Sequence, residues 1–184
     1  MAHSSTIRTG RLVITPFTER HLTASYVAWL NDRELTRYSE QRHKTHTLAS
    51  CHAYWRSFMN TPHYFWAVEE TADDLGHIGN MNAYVDQSNG LADLGILIGA
   101  PQARGKGYGQ EAWTGVCNFL FQEVGLRKIT AGVLALNHAM LLLARNVGMV
   151  EDGVRRRHYL CDGREVDVIH LALFRRSGHD RKPL

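Results

Sequence analysis

The stretch Leu94-Gly95-Ile96-Leu97-Ile98-Gly99 is followed, after Ala100-Pro101-Gln102-Ala103, by Arg104-Gly105-Lys106-Gly107-Tyr108-Gly109. Its first part is an apolar run of strand length, and the residues after Gly107 carry the spacing of an amphipathic helix. The order is therefore strand, tight glycine loop, helix. Such a loop turns several backbone N–H groups toward one point just ahead of a helix start, where unsatisfied donors and partial positive charge favour phosphate. Gly107 and Gly109 present no Cβ to an approaching anion, and Arg104 and Lys106 add positive charge. A bare glycine loop is as readily a solvated turn; the strand before it and the helix after it favour the anion site. Two familiar phosphate loops are excluded. Lys106 is not followed by Ser or Thr, as a Walker A loop requires, and no Gly-x-Gly-x-x-Gly with a distant acidic residue stands near the N-terminus.

Upstream, Leu12-Val13-Ile14 before Pro16 reads as a first strand. Thr18 caps a helix from Glu19 to Leu30, and a second helix follows Thr47 until Thr61-Pro62 breaks it. The segment 36–47 is polar with no clear period. Strands are expected at 64–68, 78–85 and 91–98, the last two joined by a turn at Asp86–Gly90. Downstream come a helix from Gly107 to about Val124, a strand over 129–134 and a helix opened by Asn137 and stopped by Gly148. A final hairpin, 150–160 with 166–174, turns at Asp162-Gly163. There are no repeats and no linker. Residues 10–176 read as a single α/β domain, with flexible ends at 1–9 and 177–184.

The Arg-x-x-Gly-x-Gly loop resembles the pyrophosphate loop of the Gcn5-related N-acetyltransferase (GNAT) superfamily, where coenzyme A binds. Gly76-His77-Ile78-Gly79-Asn80-Met81 is similar to that family's third strand, and Asn137 with Gly148-Met149 to its Asn…Gly-Phe segment. Gly163 and Asp167 match the final hairpin of the Rim-type branch, which resembles ribosomal-protein-alanine acetyltransferases. The likeness spans roughly residues 10 to 175. It implies an α/β (α+β) GNAT fold, with a mixed central sheet of about six to seven strands flanked by about four helices.

By that resemblance, the chain moves an acetyl group from acetyl-coenzyme A to a primary amine by direct attack. The acceptor is a peptide N-terminus, an amino-sugar nucleotide or a small amine. The alternative is a non-catalytic coenzyme A-binding sensor or scaffold of the same fold. The cofactor-binding residues implied are Leu97, Ile98 and Gly99 beside the pantetheine arm, then Arg104, Gly105, Lys106, Gly107, Tyr108, Gly109 and Gln110 at the pyrophosphate, and Asn137. A backbone N–H at 97–99 would face the thioester carbonyl as a small oxyanion hole. Asn137 is equally a plain helix cap. The family's usual tyrosine acid and glutamate base fall here on Ala144 and Gly132. Tyr159, His158 and Asp93 are left as candidate catalytic groups, each with a bland reading as a surface residue.

Composition bounds the rest. The net charge of +3 is too small and diffuse to argue for nucleic acid. The eleven histidines show no metal-ligand spacing and there is no Cys-x-x-Cys, so no metal is expected. Cys51, Cys117 and Cys161 suit free thiols in a reducing compartment. No apolar run approaches the length of a membrane helix, and Met1-Ala2-His3-Ser4-Ser5 lacks an apolar signal core. A cytoplasmic protein without membrane or nucleic-acid partners is expected; a homodimer is compatible with these features.

Overall fold

The computed structural model describes residues 6–175. In chain order its elements are β1 (Ile7–Arg8), β2 (Leu12–Pro16), α1 (Ala24–Asn31), α2 (Arg33–Thr36), α3 (Leu48–Arg56), β3 (Tyr64–Glu70), β4 (Gly76–Asp86), β5 (Leu91–Ile98), α4 (Tyr108–Gln122), β6 (Lys128–Leu134), α5 (His138–Asn146), β7 (Val150–Cys161) and β8 (Arg164–Phe174). The strands form one eight-stranded sheet in the order β1-β2-β3-β4-β5-β6-β8-β7.

Strand β3 shows how the layers arise. Its side chains alternate between faces, as the two-residue period of a strand dictates. Tyr64, Trp66 and Val68 join the main core with Trp113, Val116 and Leu120 of α4, whereas Phe65 and Ala67 join a second core with Tyr26 and Leu30 of α1 and Cys51 of α3. Helices thus cover both faces of the sheet.

Every strand pairing is antiparallel except β5 with β6, which α4 connects as a crossover. That parallel pair is short: only Leu91, Ala92 and Asp93 face Lys128, Ile129 and Thr130. Beyond Asp93 the two strands part. Residues 94–98 stay paired with β4 on one side and have no strand partner on the other. The sheet therefore opens as a V with its apex at Asp93 and Thr130.

Three expectations are corrected. The sheet has eight strands, not six to seven, because Ile7–Arg8 pairs with Val13 and Ile14 where a free terminus was expected. Thr9 Oγ1 donates to Glu111 Oε1 at 2.6 Å and ties that segment to α4. The helix expected over 19–30 is divided into a 3-10 turn at Glu19–His21 and α1, capped by Thr23. The His21 ring accepts the Thr18 N–H at 2.9 Å and is buried, which draws the chain out of helix before Thr23 starts a new one. Finally, five α-helices flank the sheet instead of about four, because the Asp32 carboxylate caps the short α2. Residues 1–5 and 176–184, where flexible ends were expected, lie outside the described residues.

Candidate functional site

The glycine loop is built before any ligand is considered. Gly107 is the N-cap of α4 and holds φ +82°, in the left-handed region that a branched side chain resists. Tyr108 is buried beneath the Arg11 guanidinium, 4.4 Å from its ring centroid. Its hydroxyl donates to Asp73 Oδ2 at 3.3 Å, and Lys106 Nζ lies 3.7 Å from the same oxygen. Arg11 also donates to the Lys106 carbonyl at 3.1 Å and pairs with Glu111 at 2.8 Å. The loop is thus braced from β2 and from the turn after β3.

Arg104, expected near the pyrophosphate, makes its contacts within the protein. Its Nη2 donates to the Gly99 carbonyl at 2.9 Å and lies 3.5 Å from Asp32 Oδ2, so it joins the end of β5 to the start of α2. Gln110 Oε1 accepts from Asn146 Nδ2 at 3.3 Å, which links α4 to α5. Gly99 is required by close approach: a Cβ there would sit 2.1 Å from Trp29 Cδ2. Its own N–H donates to the Ile78 carbonyl at 2.9 Å, so it is not a free donor for a ligand. By the alternation of the strand, Leu97 turns its backbone to β4 as Gly99 does, and Ile98 turns its own to the open edge. Asn137 caps α5, its Oδ1 accepting the Met140 N–H at 3.1 Å, and it also lines the cleft.

That cleft, about 930 Å³, runs through the V. On one face it is bounded by Trp113 of α4 and Met140 of α5, on the other by Tyr26 of α1 and Tyr54 of α3. Among the described residues, five buried side-chain polar atoms lack a hydrogen-bond partner: Thr15 Oγ1, His46 Nε2, Asn80 Oδ1, Trp113 Nε1 and His170 Nε2. Four of these belong to residues lining this one cleft. An unsatisfied buried polar atom costs about 1–3 kcal/mol. Their concentration here makes the cleft a place where water or a bound molecule would complete the hydrogen bonding.

Asp93 sits at the apex. It pairs across the sheet with Tyr84, and its Oδ2 accepts from Thr130 Oγ1 at 2.9 Å. Solvent reaches Asp93 through the cleft, but the surrounding walls thin its hydration. That desolvation raises its pKa, opposed by the Thr130 hydrogen bond and by attraction to His170. His170 stands opposite Gly132 across β6 and β8, and a Cβ on Gly132 would meet the His170 ring at 3.9 Å. Tyr84 and Tyr54 share a hydroxyl hydrogen bond of 3.0 Å, and burial raises the Tyr54 pKa, keeping it neutral.

His158 and Tyr159 border the cleft from β7, their ring centroids 4.7 Å apart. They flank a bulge in which the pairing jumps from Arg155 with Val168 to Tyr159 with Val166. Asp167 holds that bulge, its Oδ1 accepting the Arg157 N–H at 2.7 Å. Asp167 is thus a structural brace for the hairpin. Sequence reasoning missed Thr130, Trp113 and His170, and found no clear period in the polar segment 36–47 that holds His46. The two-residue alternation of β6 and β8 was the available signal: it puts Thr130, Gly132 and His170 on the Asp93 face.

Comparison with known proteins follows this geometry. Residues 11–150 match the family model described as an acetyltransferase (GNAT) domain. The uncharacterized N-acetyltransferase YoaA of Bacillus subtilis is 25% identical over 167 residues, covering 88% of this chain and 92% of YoaA. Among solved structures, a spermidine N-acetyltransferase from Vibrio cholerae, bound to CoA and spermine, superposes with a TM-score of 0.80 at 20% identity, over 90% of this chain and 96% of that one. A RimL ribosomal-protein α-N-acetyltransferase in complex with coenzyme A gives a TM-score of 0.82 at 13% identity, over 92% of this chain and 98% of that one. At such identities the likeness speaks for the fold.

Proposed function

The chain belongs to the GNAT acetyltransferase family and is an N-acetyltransferase, and we propose that it moves an acetyl group from acetyl-coenzyme A to a primary amine by direct attack. The observation that carries this reading is the open edge of β5. Residues 94–98 end at a braced glycine loop and border a cleft that holds four unpartnered buried polar atoms. The residues fit the co-substrate. Gly105 and Gly107 leave the loop backbone open, with a side chain at Gly105 meeting nothing within 4 Å. Backbone N–H groups of 105–110 at the start of α4 would hold the pyrophosphate. Ile98 would pair with the pantetheine arm along the unpaired edge, with Leu97 beside it. The bound thioester supplies the acetyl group.

The acceptor enters from the α1–α3 face, and catalysis rests mainly on positioning. Asn80, Asn82, Tyr84 and Asp93 line that side of the cleft. Asp93, with its raised pKa and its bond to Thr130, is placed to take a proton from an arriving ammonium. His158 and Tyr159 stand at the border, where they can contact the rest of the acceptor. Among the described residues, three acids line the cleft, Glu34, Glu40 and Asp93, and Glu40 is already paired with Arg42 at 2.9 Å, which leaves two. That weighs against a polyamine acceptor. A peptide N-terminus, an amino-sugar nucleotide or a small amine suits it better, and the first of these agrees with the Rim-type likeness of the hairpin.

The test is an unbiased panel of amines with acetyl-coenzyme A, reading free thiol release and the acetylated product by mass spectrometry. Turnover is expected with at least one α-amine or amino-sugar acceptor. No turnover with any of them, together with no coenzyme A binding by calorimetry, refutes the reading.

A further inference from the structure

We propose that the Trp113 indole N–H donates a hydrogen bond to a carbonyl oxygen of the acyl-pantetheine arm. Trp113 is therefore a positioning residue of the donor half-site. The inference rests on the reading that the glycine loop holds coenzyme A. Trp113 is fully buried, at 0% exposure, and its Nε1 has no partner. An indole N–H is a donor only, so no rotation or tautomer relieves it. Elsewhere the protein satisfies even a partly buried indole: Trp55 Nε1 donates to the Phe17 carbonyl at 2.9 Å. Trp113 differs in what surrounds it.

Its place in α4 sets which ligand atoms can come near. The helix begins at Tyr108, beside the glycine loop. Five residues on, Trp113 lies about 8 Å along the axis. A group tethered at the loop and running back along β5 passes it with the middle or far part of the pantetheine arm. Trp113 lines the cleft together with Leu94 and Ile96 of β5 and with Ala131 and Val133 of β6. These walls are apolar side chains. In such low-dielectric surroundings one hydrogen bond counts for more than it does at the surface. The acyl-pantetheine arm carries two amide carbonyls and the thioester carbonyl, each with two lone pairs, so one can accept the indole N–H beside any bond to the β5 backbone.

The indole does not transfer a proton. It fixes the arm, and if it meets the thioester oxygen it also favours charge building there. The test follows the four indole N–H resonances of uniformly 15N-labelled wild-type protein. They are assigned by Trp29→Phe, Trp55→Phe, Trp66→Phe and Trp113→Phe. The protein is titrated in turn with 3′,5′-ADP, which lacks the arm, with coenzyme A and with acetyl-coenzyme A. Calorimetry runs in parallel.

The Trp113 resonance is expected to stay in place with 3′,5′-ADP and to move downfield with coenzyme A. Movement only with acetyl-coenzyme A supports the proposal and assigns the thioester carbonyl. Calorimetry should show Trp113→Phe weakening coenzyme A by about five- to tenfold while 3′,5′-ADP changes less than about twofold, the loss of one neutral hydrogen bond. An indole resonance that ignores both bound coenzyme A and bound acetyl-coenzyme A overturns the proposal and leaves the acetyltransferase reading intact. So does one that moves as much with 3′,5′-ADP. Absence of coenzyme A binding in calorimetry sinks both together.

Discussion

Acid should loosen this fold through one largely enclosed ring, His77. Its imidazole is packed among Phe17, His21 and Trp29, with ring centroids 5.9, 5.1 and 5.1 Å away. Its Nε2 donates to the Gly79 carbonyl at 2.9 Å. Burial, and then repulsion from His21, lowers its pKa from 6.5 to about 4. A histidine whose folded pKa lies below the unfolded value stabilises the fold above the unfolded pKa. That contribution is lost as pH falls toward the folded pKa. For these two values the loss between pH 7 and pH 4.5 is about 2.5 kcal/mol. His21, lowered by desolvation, adds a loss of the same sign. Most shifted carboxylates fall outside this window, since Asp32, Glu70, Asp86 and Glu111 are all held below their ordinary values. Urea unfolding followed by circular dichroism at pH 7 and at pH 4.5 measures the effect. With a slope of about 2 kcal/mol/M the midpoint should fall by roughly 1 M. His77→Gln keeps a donor for Gly79 and removes the titration, so its midpoint should fall by much less. Wild type and His77→Gln losing stability in parallel would refute this account of the pair. The consequence reaches the site, because Trp29, one of the packed rings, rests against Gly99 at the end of β5.

Gly107→Val places a branched residue at φ +82°. It should cost about 1–3 kcal/mol of stability and lower coenzyme A affinity more than about tenfold; calorimetry on the folded variant decides, and unchanged affinity would remove the loop from the cofactor site. Cys51, Cys117 and Cys161 are buried free thiols, and burial pushes the Cys117 thiol up to about 12. A Cys51→Ala, Cys117→Ala, Cys161→Ala protein should keep most of its kcat, and an acetyl-cysteine trapped by mass spectrometry would contradict direct attack. The pH dependence of kcat/KM should follow the acceptor, since attack needs the neutral amine and Asp93 only receives the proton that the ammonium gives up. With acceptors matched in shape, one an α-amine titrating near 8 and the other an alkylamine near 10.4, the rise should shift with the amine; coincident profiles would show that an enzyme group such as Asp93 sets the step.

Most of the fold was legible because its strands and long helices write their own periods. The glycine loop sits between an apolar run and an amphipathic helix, and both were found where they were read, at Leu91–Ile98 and Tyr108–Gln122. The misread parts share one cause: local chemistry without a period. His21 breaks what looks like a single helix because its ring bonds back to the Thr18 N–H. Asp32 starts a helix of only four residues, too short for a hydrophobic stripe to form. Ile7–Arg8 becomes a strand because β2 offers an edge and Glu111, far along the chain, an anchor for Thr9.

The site was legible only in its loop, because the rest is made by an interruption. Residue types can announce that β5 and β6 are strands. They do not say that pairing stops after Asp93 and Thr130, which depends on how α4 and α5 wedge against the two arms of the V. Yet that stop creates the free edge, opens the cleft and strands Asn80 Oδ1, Trp113 Nε1 and His170 Nε2 without partners. Had β6 continued alongside β5, the V would be closed and this edge would bond only to itself. The unsatisfied atoms and the unpaired backbone are two faces of one choice in the fold, made where a sheet with a single parallel junction lets go. Chemistry read from motifs finds the anchor of such a site; its working part is found by asking which polar groups the fold has left unanswered.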